Sequence, residues 1–291
     1  MKKLTIAAVV LIVVAIASVV AIGKWGKRPA QHKPVLAVSI LPQKTLLQDI
    51  VGNRYEVICL LGQESNPETF EPDMSHFINL ERSEAFFKIG NLGFEMALDA
   101  RLHQDGRHLR VVDSAAGIDL IAHSHGSSEI DPHVWSSVPN AIIIADNMLC
   151  AVLDIDPDHA DYYRQRHAAL DKRLHALDDT LRARLEPCRD CAFAIWHPSL
   201  SYFARDYGLR QISLSPDGKE STVTAMRNSL VTAARSHARI FFYQPELDPR
   251  QADAVRNQLN IPAMSINPMA ADWENQLLSI ADAIAKVNTC E

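Results

Sequence analysis

The chain has 291 residues, 47% of them hydrophobic and 22% charged, with a formal net charge of -6 at neutral pH. That length exceeds one minimal core and suits two lobes of roughly 100–150 residues each, while the ordinary globular composition excludes a disordered chain and a polytopic membrane protein. An acidic balance without a long basic run offers no phosphate-binding face for a nucleic acid and leaves cationic or neutral ligands open.

Met1-Lys2-Lys3 precedes an apolar stretch from Leu4 to Ile22, followed by Lys24, Lys27 and Arg28. A charged start, an apolar run and small residues around Ala17-Ser18 and Ala21-Gly23 read as an export signal, and the run approaches the ~20 residues of a membrane-spanning helix. The segment is either cleaved or kept as an anchor in the cytoplasmic membrane, and the polar stretch 26–34 reads as a tether. No cysteine follows the run, so nothing supports a lipoprotein anchor. The five cysteines are Cys59, Cys150, Cys188, Cys191 and Cys290. Export permits disulfides, and the odd count leaves at least one thiol free. Cys188 and Cys191 could form a redox pair, half a zinc site or a local disulfide; they read as a structural disulfide or as inert thiols, because they follow a long helical pattern, whereas a reactive pair gains its low pKa at a helix N-terminus.

In chain order, residues 35–40 (VLAVSI) read as a buried strand, 43–51 as a helix and 55–61 as a second strand. A polar loop, 62–73, leads into helical spacing through Ile78 and Leu80. A strand over 86–89, a helix over 94–102 and a strand over 109–112 complete a first α/β series, and 140–153 is again helical. Asp156-Pro157-Asp158 is a stop and restart signal. From there to Glu186 the chain lacks Gly and Pro, and Leu170, Leu174, Leu177, Leu181 and Leu185 recur at helical steps. One helix over 158–186 would span on the order of 43 Å at ~1.5 Å per residue, enough to run from one lobe to the other. The second series places strands at 192–196, 211–214, 239–243 and 263–266, with helices at 198–207, 221–236, 249–258 and 272–286. The predicted fold is α/β: two lobes, each a parallel sheet flanked by helices, joined by one long rigid backbone helix. The divisions are 1–34 (signal or anchor, and tether), 35–157 (N-terminal lobe), 158–186 (linking helix) and 187–291 (C-terminal lobe).

Open α/β sheets bind ligands beyond the carboxyl ends of their strands. Three such places carry metal-type side chains: Glu68 within Asn66-Pro67-Glu68-Thr69-Phe70-Glu71-Pro72, His133 within Asp131-Pro132-His133-Val134-Trp135, and His197 directly after AFAIW. Two imidazoles and a carboxylate from separate loops form a reasonable ligand set for Zn²⁺ or Mn²⁺. His76, a turn or so beyond Glu68, is a weaker candidate. His123 and His125 form either an auxiliary metal site or a solvated loop. His159, His167, His175 and His237 fall on helical patterns and read as solvated or partner-stacked. Trp135, Trp196 and Tyr202 read as core and lining residues that keep water from the site.

Together these segments resemble the zinc- and manganese-binding solute-binding proteins of ABC importers. Leu41-Pro42-Gln43 matches that family's strand ending in Pro-Gln, and Pro67-Glu68-Thr69-Phe70-Glu71-Pro72 resembles its Pro-His-x-Tyr-Glu-Pro motif. Asp131 to Trp135 matches Asp-Pro-His-x-Trp, and His197, Tyr202 and Tyr207-Gly208-Leu209 match its strand-His, Tyr and Tyr-Gly-Leu. The likeness runs from about residue 35 to the end. Glu68 stands where the family usually has histidine, so an oxygen donor would replace a nitrogen. Asn267 stands where manganese-type members carry an aspartate, which tilts the reading toward zinc.

The resemblance implies an extracytoplasmic, monomeric capture protein without catalysis. Glu68, His133, His197 and Asn267 would hold the cation, and an ABC permease with its cytoplasmic ATPase would receive it. Affinity would fall in acid as imidazoles protonate. No Walker-type loop is present, so the chain is not the ATPase. The alternatives are a metal-stabilised surface adhesin and a secreted zinc hydrolase, the latter without a His-Glu-x-x-His or Gly-x-Ser-x-Gly motif to support it.

Overall fold

The computed structural model describes residues 33–62, 67, 70–104, 109–122, 130–215 and 223–288. Among them lie two four-stranded sheets. The first contains β1 (Val35–Val38), β2 (Glu56–Cys59), β3 (Ser83–Lys88) and β4 (Arg110–Asp113) in the order β2-β1-β3-β4. The second contains β5 (Ala192–Ile195), β6 (Arg210–Ser213), β7 (Phe241–Tyr243) and β8 (Ala263–Ser265) in the order β6-β5-β7-β8. Every pairing within these two sheets is parallel. The central strands VLAV and AFAI are buried throughout, as strands covered on both faces must be. The repeated order puts each sheet's switch point beside its first strand, where successive connections leave in opposite directions.

The first lobe adds α1 (Leu41–Val51), α2 (Met74–Glu81), α3 (Gly93–Gln104) and α4 (Val138–Ile155). Pro42 suits the first turn of α1, where its missing N–H has no partner to lose. Asp73 caps α2 by accepting from the N–H groups of Ser75 and His76, and Ser137 caps α4 through Asn140. The linking helix α5 (Ala160–Leu185) follows, then α6 (Ser201–Asp206), α7 (Val223–Arg235), α8 (Pro249–Leu259) and α9 (Trp273–Asn288) in the second lobe.

The expected linking helix over 158–186 is shorter at both ends. Pro157–His159 and Glu186–Cys188 are single 3-10 turns, and Pro187 cannot supply the N–H that another α-turn needs. Tyr163, Leu170, Leu174, Leu177, Leu181 and Leu185 form the buried stripe of α5, which packs on α1 and α4 of the first lobe and α9 of the second. One apolar core therefore runs from the first sheet through α5 to one face of the second. A smaller core, including Leu214, Leu230, Phe241, Leu247 and Val255, fills that sheet's other face.

Strand ends also differ from the sequence reading. The strand expected over 35–40 stops at Val38, because the N–H groups of Ser39 and Ile40 turn onto Gln43 Oε1 at 3.1 and 3.3 Å. β3 starts three residues ahead of the expected 86, since Ser83 pairs with Val35. The helix expected over 198–207 narrows to Ser201–Asp206; the residues before it form a turn in which Ser199 N–H donates to His197 O at 2.8 Å. Cys59, Cys150, Cys188 and Cys191 are free thiols. Burial pushes the Cys59 thiol up to about 12, so it is inert. Cys290, like the N-terminal segment through residue 32, lies outside the described residues.

Candidate metal centre

His197 leaves the carboxyl end of β5 two residues beyond its last paired position, at the switch point of the second sheet. Gln244, just past β7, fixes it there: its Oε1 accepts from His197 N–H at 3.3 Å, and its Nε2 donates to His197 O at 3.1 Å and to Ser199 Oγ at 2.9 Å. His133 comes from the other lobe, in the segment entering α4. Its ring is buried, and Asn140 Nδ2 donates to Val134 O at 3.0 Å to hold the following turn.

These two residues meet. Nε2 of His133 lies 3.2 Å from Nε2 of His197, with ring centroids 5.0 Å apart. Two nitrogens at ~2.0–2.1 Å from one tetrahedral Zn²⁺ would be separated by about 3.3 Å, so the pair is already spaced as two ligands of one ion. Asp131 sets the chemistry of its half. Its Oδ1 lies 2.8 Å from His133 Nδ1 and accepts from His133 N–H at 2.9 Å. Burial raises the Asp131 carboxyl, but its hydrogen bonds with His133 prevail and hold it below the usual range. An ionised carboxylate only accepts, so the His133 proton sits on Nδ1 and the lone pair on Nε2 faces His197. With the His197 proton on Nδ1, both Nε2 lone pairs would be free for a cation.

Trp135 walls the site, its ring 5.2 Å from that of His133 and its Nε1 donating to Pro268 O at 3.1 Å. Asn267 therefore sits beside the residue that receives Trp135. Its own Oδ1 accepts from Met269 N–H at 3.0 Å, and its N–H donates to Gln276 Oε1 at 3.2 Å, so the carboxamide is engaged in a turn at the end of β8. Glu68, His123 and His125 lie outside the described residues. The structure thus joins His133 and His197, places Asn267 next to Pro268, whose carbonyl receives Trp135, and among the described residues contains no group of three or more His, Cys, Asp or Glu side chains arranged to hold a metal. His76 closes back on Asp73 at 2.7 Å and stands edge-on to Phe70 at 5.0 Å, serving as part of its helix start. Trp196 packs against the smaller core.

Sequence reasoning did not assign the roles of Asp131, Gln244, Gln43 and Glu95. Gln43 is buried, accepts from Ser39 and Ile40, and donates to Phe87 O at 3.2 Å and Ser114 Oγ at 3.3 Å, so one amide joins the ends of three strands. Glu95 Oε1 accepts from Ser39 Oγ and from Ile89 N–H, the latter at 2.7 Å, while Oε2 is buried without a hydrogen bond. Burial pushes this carboxyl up to about 7 against those hydrogen bonds. Only the Asp131–His133 contact is local enough to have been read from spacing.

The family model described as zinc-uptake complex component A, periplasmic, matches residues 36–287. A crystal structure of ZnuA superposes with a TM-score of 0.81 at 30% identity, covering 88% of this chain and 99% of that one. A zinc-bound ZnuA with a deletion at 138–173 superposes with a TM-score of 0.82 at 29% identity, covering 89% and 99%. The high-affinity zinc uptake system protein ZnuA of Bacillus subtilis is 24% identical over 80% of this chain and 78% of its own length.

Proposed function

This chain belongs to the family of zinc-uptake complex component A, periplasmic, and from that membership we propose that it is the extracytoplasmic solute-binding subunit of an ABC importer for zinc, with Mn²⁺ as the alternative cargo. The observation that carries the reading is the His133–His197 pair, two Nε2 atoms 3.2 Å apart contributed by different lobes. The cation would take both imidazoles, with Glu68 arriving from the loop after β2 and Asn267 from the end of β8 as the remaining candidates. A Glu68 carboxylate would offset part of the cation's charge. Capture involves no bond making or breaking in the cargo, so the chain works as a carrier and not as an enzyme. The cargo passes to a membrane permease driven by a cytoplasmic ATPase, with the chain monomeric and its N-terminal segment exported or retained as an anchor.

Competitive titration of the full chain with Zn²⁺ and Mn²⁺ tests this reading. Native protein should prefer zinc, and His133→Ala and His197→Ala should each lose at least about 100-fold in affinity, as expected when one of few ligands is removed. Glu68→Ala should weaken binding in the same direction. Native protein that takes up neither metal tightly, or histidine variants that bind as the native chain does, would overturn it.

A further inference from the structure

We propose that Tyr202 is a positioning residue for metal capture, the latch through which the C-terminal lobe sets the Asp131–His133 half of the site. The proposal rests on the metal-site reading above and assigns a task to a side chain that touches no cargo.

Tyr202 stands on α6, five residues after His197, and is fully buried. Its hydroxyl leaves its own lobe. It donates to Asp131 O at 2.8 Å and accepts from Ile121 N–H at 3.1 Å. Those two groups belong to an antiparallel pairing: Asp131 N–H donates to Ile121 O at 2.9 Å, and Ala122 bridges Ile130. In a regular pair the reciprocal bond would run from Ile121 N–H straight to Asp131 O. Here the phenol is inserted between them, in the manner of a buried water. One lobe thus completes the backbone pairing of the other.

A neighbour of Tyr202 reinforces the contact. One turn on, the Arg205 guanidinium lies over the Tyr202 ring at 5.1 Å and donates to Asp119 O at 2.7 Å. Asp131 in turn fixes the ring and the proton of His133. The segment that supplies His197 therefore also determines which way the opposing imidazole faces, and lobe approach and ligand orientation become one event. Loss of the hydroxyl would leave a donor and an acceptor without their shared partner and free Asp131 to turn.

Tyr202→Phe removes the oxygen and keeps the ring. In the full chain, zinc affinity should fall about 10-fold, the lower end of the range for lost partners of metal ligands. The loss should appear as faster zinc release to a chelator, and the visible absorption bands of the Co²⁺-loaded variant should shift. Arg205→Ala, which removes the guanidinium over the Tyr202 ring and its bond to Asp119 O, should move both readouts in the same direction and decides the matter if the Phe variant does not fold. Native-like zinc affinity and cobalt bands in the variants, whatever happens to the unfolding midpoint, overturn the latch and leave Tyr202 as packing. His133→Ala and His197→Ala separate the two levels. If they bind zinc as the native chain does, the site reading itself fails; if they lose zinc while Tyr202→Phe does not, only the latch fails.

Discussion

An imidazole binds a divalent cation only through a nitrogen lone pair, and at His133 the carboxylate of Asp131 selects the nitrogen that offers it. The aspartate is two residues away, so the relation was within reach of the Asp-Pro-His spacing. Glu95 is the opposite case. Its partner Ser39 is far off in sequence, and nothing around Asn91-Leu92-Gly93-Phe94-Glu95 marks a buried acid. Burial raises its carboxyl from 4.5 to about 7. The folded chain then keeps a proton that the unfolded chain releases, so the stability linked to Glu95 is complete below the unfolded value and is lost as pH rises through the folded one. That loss is about 3 kcal/mol. Asp131 and Asp156 are held low and act in the opposite sense, at more acid pH. Glu95→Gln cannot ionise, so urea denaturation at pH 5 and pH 8 should show a fall in the native chain that the variant lacks. Equal behaviour of the two proteins would mean that Glu95 titrates as an ordinary surface carboxyl.

Among the elements, α5 was the most legible. Its leucines recur on one face over many turns, a pattern with no strand counterpart. Its ends were set by prolines and local turns, which periodicity does not report. Leu174 is fully buried where the helix faces the shared core. Leu174→Ala should cost about 2–5 kcal/mol in chemical denaturation. An effect below about 1 kcal/mol would mean that this face of α5 is not a packed core position. The strands were legible where both faces are covered, as in VLAV and AFAI, and poorly bounded where a partner decides. Ser83 and Glu84 look like loop residues until β1 pairs beside them.

For the whole molecule, the relevant quantity is how firmly the two sheets are held together. Besides the common core, Arg173 of α5 reaches Asp49 of α1 and Glu274 of α9 at 2.5 and 3.1 Å, and Thr45 Oγ1 donates to Ala271 O at 3.0 Å. Arg173 is about half exposed, with a side-chain accessibility of 45%, so water screens the triad and its contribution to stability should stay below about 1 kcal/mol. Its bearing on motion is different, because it is one side chain tied to both lobes. Arg173→Ala should unfold within about 1 kcal/mol of the native chain and yet release zinc faster in stopped-flow transfer to a chelator. An unchanged release rate would assign the restraint to the apolar core alone.

The sequence by itself determined the α/β class, the two strand–helix series and the long helix between them, and marked His133 and His197 as candidates, because hydrophobic period and short motifs are written locally. Only the tertiary structure decided that the two imidazoles face each other at 3.2 Å, that Tyr202 serves the opposite lobe, and that Glu95 is buried beside Ser39. Each of these depends on side chains brought together by sheet order and by the packing of α5, contacts between segments far apart in the chain that no local pattern encodes.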